Sequence, residues 1–306
     1  MMRRILITGS EGFVGSTLLK ILKEGLDIII PTCYPPLKPP NGKFVELDIT
    51  NMDMVREVLK IHNPDIIIHL AAVSSVAKSF VARPLTYNVN IIGTANLLEC
   101  AHFLKKNVKF IYISSCEVYG GGENLNEEAP IVLKNPYAVS KYASELICKD
   151  YAGDNIEVMI LRPFNHTGPG QTDDFVLPSI ARQIAEIERG KKIPLIELGN
   201  IEIKREFMNV LDVVKAYKIA IDKFVPNEVF NISSGESHSL AEAIELFREF
   251  ARTKFEIKID PARLRKTDIP VLTGNGEKFS RLTGWTAKIP LRKTIEDLLN
   301  YWRAKI

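Results

Sequence analysis

Short runs that are apolar at nearly every position alternate with longer stretches whose apolar residues recur every three to four positions. The runs 5–7, 26–30, 44–47, 65–70, 108–114 and 156–161 are predicted as strands. The stretches 13–24, 51–61, 84–105 and 137–151 are predicted as helices. In the first helix Val14, Leu18 and Leu22 share one face and Gly25 marks the stop. A proline-rich loop is expected from Pro31 to Pro40. Strands that are apolar on both faces and alternate with helices describe a parallel sheet covered on both sides. Such a sheet has right-handed crossovers and binds ligands at the carboxyl ends of its strands.

Beyond Pro163 the pattern changes. Gly168-Pro169-Gly170 is a break. Helices are predicted over 175–189, 210–224, 240–251 and 291–302, and strands over 193–198, 228–232 and 255–259. The expected class is α/β: a doubly wound parallel sheet, of the Rossmann kind, with a smaller α+β carboxyl-terminal domain. The expected boundary is interleaved. Residues 1–163 and 206–232 form the sheet domain, and residues 164–205 and 233–306 form the smaller one. There are no internal repeats.

Composition narrows the class. In 306 residues, 40 Lys+Arg stand against 37 Asp+Glu, a net charge of +3, which is too balanced for an electrostatic nucleic-acid binder. Cys33, Cys100, Cys116 and Cys148 are scattered with no CxxC, which fits a reducing cytoplasm better than a disulfide framework or a zinc site. The five histidines include no HxxxH or HxH pair, so no structural metal is expected. No apolar run approaches the roughly 18 residues of a membrane helix. The apolar stretch after Arg3-Arg4 stops at Gly9, too soon for a signal peptide or anchor.

Chemistry begins at Thr8-Gly9-Ser10-Glu11-Gly12-Phe13-Val14-Gly15, which leaves the first strand and opens the first helix. GxxGxxG at that junction lets the backbone approach a pyrophosphate, and the helix end supplies N–H groups to hold it. Gly9, Gly12, Phe13, Val14 and Gly15 are the candidate phosphate-side residues. The second strand ends without the acid that commonly binds a ribose diol: Ile29-Ile30-Pro31-Thr32-Cys33-Tyr34. On that ground NADP(H) is favoured and NAD(H) is possible; the nearest cation is Lys38. Asp48 and Ile49 follow the third strand, where Asp48 either meets an adenine amino group or caps a turn. Leu70-Ala71-Ala72 ends the fourth strand with small side chains that permit close approach of a cofactor. His69 is expected to be a packed strand residue.

Tyr137 and Lys141 stand at i and i+4, on one face of a predicted helix. A neighbouring ammonium is expected to lower the phenol's pKa. Tyr34/Lys38 and Tyr301/Lys305 share the spacing, but the former encloses Pro35-Pro36 and the latter lies at the fraying chain end. Tyr137/Lys141 alone has a serine cluster upstream, in Ser114-Ser115-Cys116-Glu117-Val118-Tyr119-Gly120. Ser115 leaves the fifth strand at the same sheet edge as the glycine loop. A hydroxyl there is suited to hold a carbonyl while Tyr137 transfers a proton.

These motifs resemble the extended short-chain dehydrogenases/reductases, the group of sugar-nucleotide epimerases, dehydratases and ketoreductases, over essentially the whole chain. Arg162-Pro163-Phe164-Asn165-His166-Thr167-Gly168-Pro169-Gly170-Gln171, Phe175-Val176, Leu198-Gly199-Asn200 and Arg205-Glu206-Phe207 most resemble the GDP-6-deoxy-4-keto-mannose reductases. Leu264-Arg265-Lys266-Thr267-Asp268-Ile269-Pro270 and Thr283-Gly284-Trp285 add to the match. The resemblance implies reduction of the C4 keto group of a GDP-sugar to GDP-D-rhamnose, with NAD(P) in the sheet domain and the sugar nucleotide on the smaller one. It implies that Ser115 orients the carbonyl, Tyr137 donates the proton, Lys141 holds the nicotinamide ribose and Pro163 borders the cofactor. It implies sugar-nucleotide contacts from Ser75, Asn165, Val176, Arg205, Arg265 and Asp268. His166 is expected to be a hydrogen-bonded structural residue. Glu117 stands where the related GDP-mannose 4,6-dehydratases carry a proton-abstracting glutamate, so dehydratase is the alternative and a UDP-sugar 4-epimerase a more distant one. The resemblance further implies a homodimer through a four-helix bundle, for which Ile91, Leu97, Tyr142 and Ile147 are the exposed-looking apolar residues.

Overall fold

The structure, a computed structural model, describes residues 2–23, 25–36, 44–261 and 269–306. A seven-stranded sheet forms its centre. The first five strands along the chain are β1 (Arg4–Thr8), β2 (Ile28–Cys33), β3 (Val45–Glu46), β4 (Ile66–His69) and β5 (Val108–Ile113). They lie in the order β5-β4-β1-β2-β3, and the strands Ile156–Pro163 and Glu228–Ile232 extend the sheet beyond β5. All the pairings are parallel, as in Ile5↔Ile29, Ile5↔Ile66 and Ile111↔Met159. The strands are added outward to one side of β1 (β2, β3) and then to the other (β4, β5), so a crevice opens at this switch point between the carboxyl ends of β1 and β4.

Both faces of the sheet are covered. Ile5, Ile7, Ile66 and Ile111 pack with helix α1 (Phe13–Leu22) and the helix Val210–Asp222. Leu6, Ile67, Phe110 and Ile160 pack on the opposite side with helix α2 (Met52–His62) and the helix Gly93–His102. A third apolar cluster joins the helices Val176–Glu188, Leu240–Phe250 and Leu291–Lys305. Small sheets complete that part, one of them pairing Lys204–Arg205 with Val271–Gly274.

Three local expectations are corrected. Strand β2 runs on to Cys33 through Pro31, which the proline-rich loop was expected to contain. Its missing N–H costs nothing there, because pairing to β3 begins only at Thr32. The expected helix over 84–105 is built in pieces: Arg83–Tyr87, a π-turn at Asn88–Ile92, and Gly93–His102. The wide turn carries Asn90, buried, whose side chain bonds the Val73 backbone and donates to Ser140 Oγ at 2.8 Å. Leu97 lies in the core rather than on the surface, while Ile91, Tyr142 and Ile147 are half-buried. Apolar exposure on these helices falls instead on Leu85, Ile92 and Leu146.

The helix Pro136–Tyr151 is pinned to the sheet by a buried ion pair. Arg162 donates through Nε (2.9 Å) and Nη2 (2.6 Å) to the two oxygens of Glu145. Glu145 also accepts from Ser114 Oγ, and Arg162 donates to the Tyr119 hydroxyl at 2.9 Å. Tyr119 in turn donates to Asn231 on the edge strand at 2.8 Å. Every member of this network is buried. Removing one partner strands the other's charge, so Glu145→Ala is expected to cost about 3–5 kcal/mol of stability. Urea or thermal unfolding measures it; a loss below about 1 kcal/mol, the range of exposed pairs, would contradict the anchoring role.

Candidate active site

A cavity of about 770 Å³ opens at the crevice on the carboxyl edge of the sheet. Its floor is the glycine loop. Gly9 has φ +67°, and a Cβ on it would stand 2.8 Å from the Ala71 nitrogen; a Cβ on Gly15 would stand 2.3 Å from the Gly9 carbonyl oxygen. The loop therefore seats directly against the end of β4. Thr8 Oγ1 holds that end by accepting from Leu70 N and Ala71 N, both at 3.1 Å. Gly12 caps α1 with no side-chain hydrogen bond, which leaves the helix end to a ligand. The cradle suits a dinucleotide pyrophosphate.

Gly9, Gly12, Phe13, Val14, Gly15, Asp48, Ile49, Leu70, Ala71, Ala72 and Pro163 all line this one cavity. So do Ser75, Ser115, Glu117, Tyr137, Lys141, Asn165, Val176 and Arg205. Arg265, Asp268 and Lys38 lie outside the described residues. Asp48 closes a local turn: its Oδ1 accepts from Thr50 N and Thr50 Oγ1 at 2.9 and 2.7 Å, while Asn51 caps α2. Ser75 caps the short helix Val76–Val81.

Ser115 begins a single 3₁₀ turn, Cys116–Tyr119, and accepts from Glu117 N at 3.2 Å. Glu117 Oε2 accepts from Asn135 Nδ2 at 2.9 Å, and Asn135 Oδ1 accepts from Ala138 N at 2.8 Å. Asn135 thus caps the Tyr137 helix and ties it to the serine turn. Nothing in the linear pattern marks this link except a capping residue before Pro136. Ser79 Oγ accepts from Tyr137 N at 3.2 Å.

Electrostatics here differ from the sequence expectation. The Tyr137 phenol is raised well above its usual pKa by burial, its hydrogen bond to Ser115 pulling it partly back and Glu117 raising it further. No lowering by Lys141 enters. That ammonium is itself buried, donates to the Ile113 carbonyl at 2.6 Å and lies 4.9 Å over the Tyr112 ring. Burial pushes its pKa down to about 8, with Cys148 and Glu145 acting the other way. Tyr137 is therefore held as an acid and Lys141 titrates near neutrality.

Both histidines behave as packed residues. His69 bonds Thr8 Oγ1 and Thr94 Oγ1 at 2.7 and 3.0 Å, and burial pushes its pKa down to about 3. His166 bonds the Phe164 carbonyl at 2.9 Å and stacks on Phe13. On the far wall, Asn165 Oδ1 is buried without a partner. Next to Arg205 in the chain, Glu206 is buried and accepts from Ser233 Oγ, Ser234 N and Gly274 N at 2.6–2.7 Å. Glu206, Glu11, Thr32 and Tyr34 stand within the sequence motifs with no site role expected of them; the last three line the cavity. Among the described residues no helix is long and apolar enough to cross a membrane, and no group of three or more His, Cys, Asp or Glu is arranged to hold a metal.

A sequence model of the GDP-mannose 4,6 dehydratase family matches residues 6–298. The chain is 34% identical over 311 residues to the GDP-6-deoxy-D-mannose reductase of Pseudomonas aeruginosa, covering 100% of this chain and 99% of the relative. It is 32% identical to the GDP-6-deoxy-D-talose 4-dehydrogenase of Aggregatibacter actinomycetemcomitans, covering 92% and 91% of the two chains. The solved structure of RMD from Pseudomonas aeruginosa complexed with NADPH superposes with a TM-score of 0.87 at 32% identity, covering 100% of both chains. Glycine cradle, buried Ser–Tyr–Lys group and full-length similarity agree: the chain belongs to the GDP-mannose 4,6-dehydratase family, within the extended short-chain dehydrogenases/reductases.

Proposed function

We propose that this protein reduces the C4 keto group of GDP-4-keto-6-deoxy-D-mannose with NAD(P)H, giving a GDP-6-deoxyhexose, GDP-D-rhamnose by its similarity to the Pseudomonas reductase. One observation carries the reading. A phenol that burial keeps protonated shares one cavity with a serine hydroxyl, a buried lysine and the glycine cradle. The glycine cradle and Lys141 would hold a reduced nicotinamide dinucleotide, which would supply the hydride for the carbonyl carbon. Ser115 donates a hydrogen bond to the carbonyl oxygen, and Tyr137 delivers the proton that turns the developing alkoxide into an alcohol. Lys141, fixed by the Ile113 carbonyl, keeps further donors for the ribose hydroxyls.

Residues 164–205 and 233–306 take the sugar nucleotide in this reading. By similarity to the reductases, Asn165, which lines the cavity, is assigned the sugar diphosphate region through its amide N–H groups, and Arg205 meets the diphosphate through its planar fork. Arg265 and Asp268 are assigned the diphosphate and the nucleotide ribose by similarity to the reductases. The enzyme works as a cytoplasmic homodimer, pairing through the helices that expose Leu85, Ile92 and Leu146; its four cysteines are free and buried. A second reading, dehydration of GDP-mannose, is favoured by Glu117, whose carboxylate lines the cavity and is steadied by Asn135.

Mixing the protein with GDP-4-keto-6-deoxy-mannose and reduced cofactor tests the proposal. Consumption of the cofactor with a GDP-deoxyhexose product is expected. No consumption, together with conversion of GDP-mannose in the presence of NADP⁺, would replace it with the dehydratase reading. Tyr137→Phe is expected to lower kcat by about 10²–10⁴-fold, the usual worth of a proton donor, with cofactor affinity retained; full activity in this variant would remove Tyr137 from the mechanism. The pH profile of kcat/KM is expected to fall as pH rises through about 8, where Lys141 loses its charge while Tyr137 stays protonated. A profile flat well past that value would show that the Lys141 charge is not needed.

A further inference from the structure

Strand β2 ends in Thr32-Cys33, with no acid, but the glycine loop supplies one from the facing side. Glu11 lies between Ser10 and Gly12, and its Oε1 accepts from the Tyr34 backbone N–H at 2.9 Å. Its Oε2 is buried with no partner. The placement is set by backbone. Ser10 N donates to the Thr32 carbonyl at 3.1 Å, and Ser10 Oγ accepts from Thr32 N at 3.3 Å, so loop and strand end move as one piece. The carboxylate stands close enough to Cys33 to help burial raise that thiol's pKa. Glu11, Thr32 and Tyr34 line the cavity together with Gly12, Asp48 and Ile49.

We infer that Glu11 makes the site select the dinucleotide whose adenosine ribose carries free 2′- and 3′-hydroxyls, NAD(H), over the 2′-phosphorylated form. The inference rests on the cavity being a nicotinamide-dinucleotide site, as proposed above. A buried carboxylate oxygen without a donor is costly, and a vicinal diol offers the donors it lacks. A 2′-phosphate offers only acceptors and carries about −1.5 to −2 charge at neutral pH, as other phosphomonoesters do. Among the described residues the lysines and arginines lining the cavity are Lys141 and Arg205, at the end of β5 and on the strand Lys204–Arg205. Neither belongs to the β1–β2 side. The favour for NADP(H) read from β2 alone gives way, because the acid comes from the loop and not from the strand.

The test is equilibrium titration of the purified full-length chain with NADH and with NADPH, read by protein and nicotinamide fluorescence without any sugar nucleotide. NADH is expected to bind at least about ten-fold more tightly, equivalent to about 1.4 kcal/mol. Glu11→Gln keeps an acceptor for the Tyr34 N–H and removes the charge; it is expected to narrow the preference about ten-fold, mainly through tighter NADPH binding. Glu11→Ser is expected to act in the same direction. Tighter NADPH binding by the unmodified chain, or an unchanged ratio in both variants, would overturn the inference. Such a result would leave keto-sugar reduction standing, whereas failure of reduction with both cofactors would defeat that reading and leave the binding preference intact.

Discussion

The geometry of the candidate site depends on one buried ion pair. Tyr137 and Lys141 lie on the same helix as Glu145, which sits about two turns beyond Tyr137. The grip of Arg162 on Glu145 fixes where that helix meets the sheet. Ser114, the residue before the site serine, bonds the same carboxylate. Tyr119 at the far end of the serine turn bonds the same guanidinium. One pair therefore sets the helix, the end of β5 and the 3₁₀ turn relative to each other. Buried charges of this sort are not a cheap source of stability. Here the pair serves registration: it fixes the helix that carries Tyr137 against the turn that carries Ser115.

Burial acts on the two reactive groups in opposite senses. It raises the phenol's pKa and lowers that of the ammonium, because in each case it disfavours the charged form. A reduction needs a proton donor, so a raised Tyr137 serves the proposed direction. Lys141 stands in the same cavity as a desolvated cation, steadied by the Ile113 carbonyl and the Tyr112 ring.

Much of this was legible in the chain. Continuous apolar runs at Ile5–Ile7 and Phe110–Ile113 marked buried parallel strands, since both of their faces must be covered. The glycine spacing after β1 and the Ser115, Tyr137, Lys141 set located the cavity, because local sequence alone brings glycines to a helix start and an i, i+4 pair to one face. What was not legible depends on pairings between distant segments. Glu11 looks like a loop acid until β2 brings the Tyr34 N–H against it. Asn135 reads only as a cap until Glu117 arrives from another turn. Leu97 seemed exposed because a helical pattern interrupted by a π-turn at Asn88–Ile92 shifts which face meets the sheet.

The central claim is that this cavity delivers a hydride to C4 of a keto sugar and a proton to its oxygen. The most direct measurement is turnover of GDP-4-keto-6-deoxy-mannose with a reduced nicotinamide cofactor deuterated at its transferable position, followed by mass and NMR analysis of the product. The account predicts one deuterium, bonded to C4. Deuterium at another carbon, or a product formed with none, would contradict it.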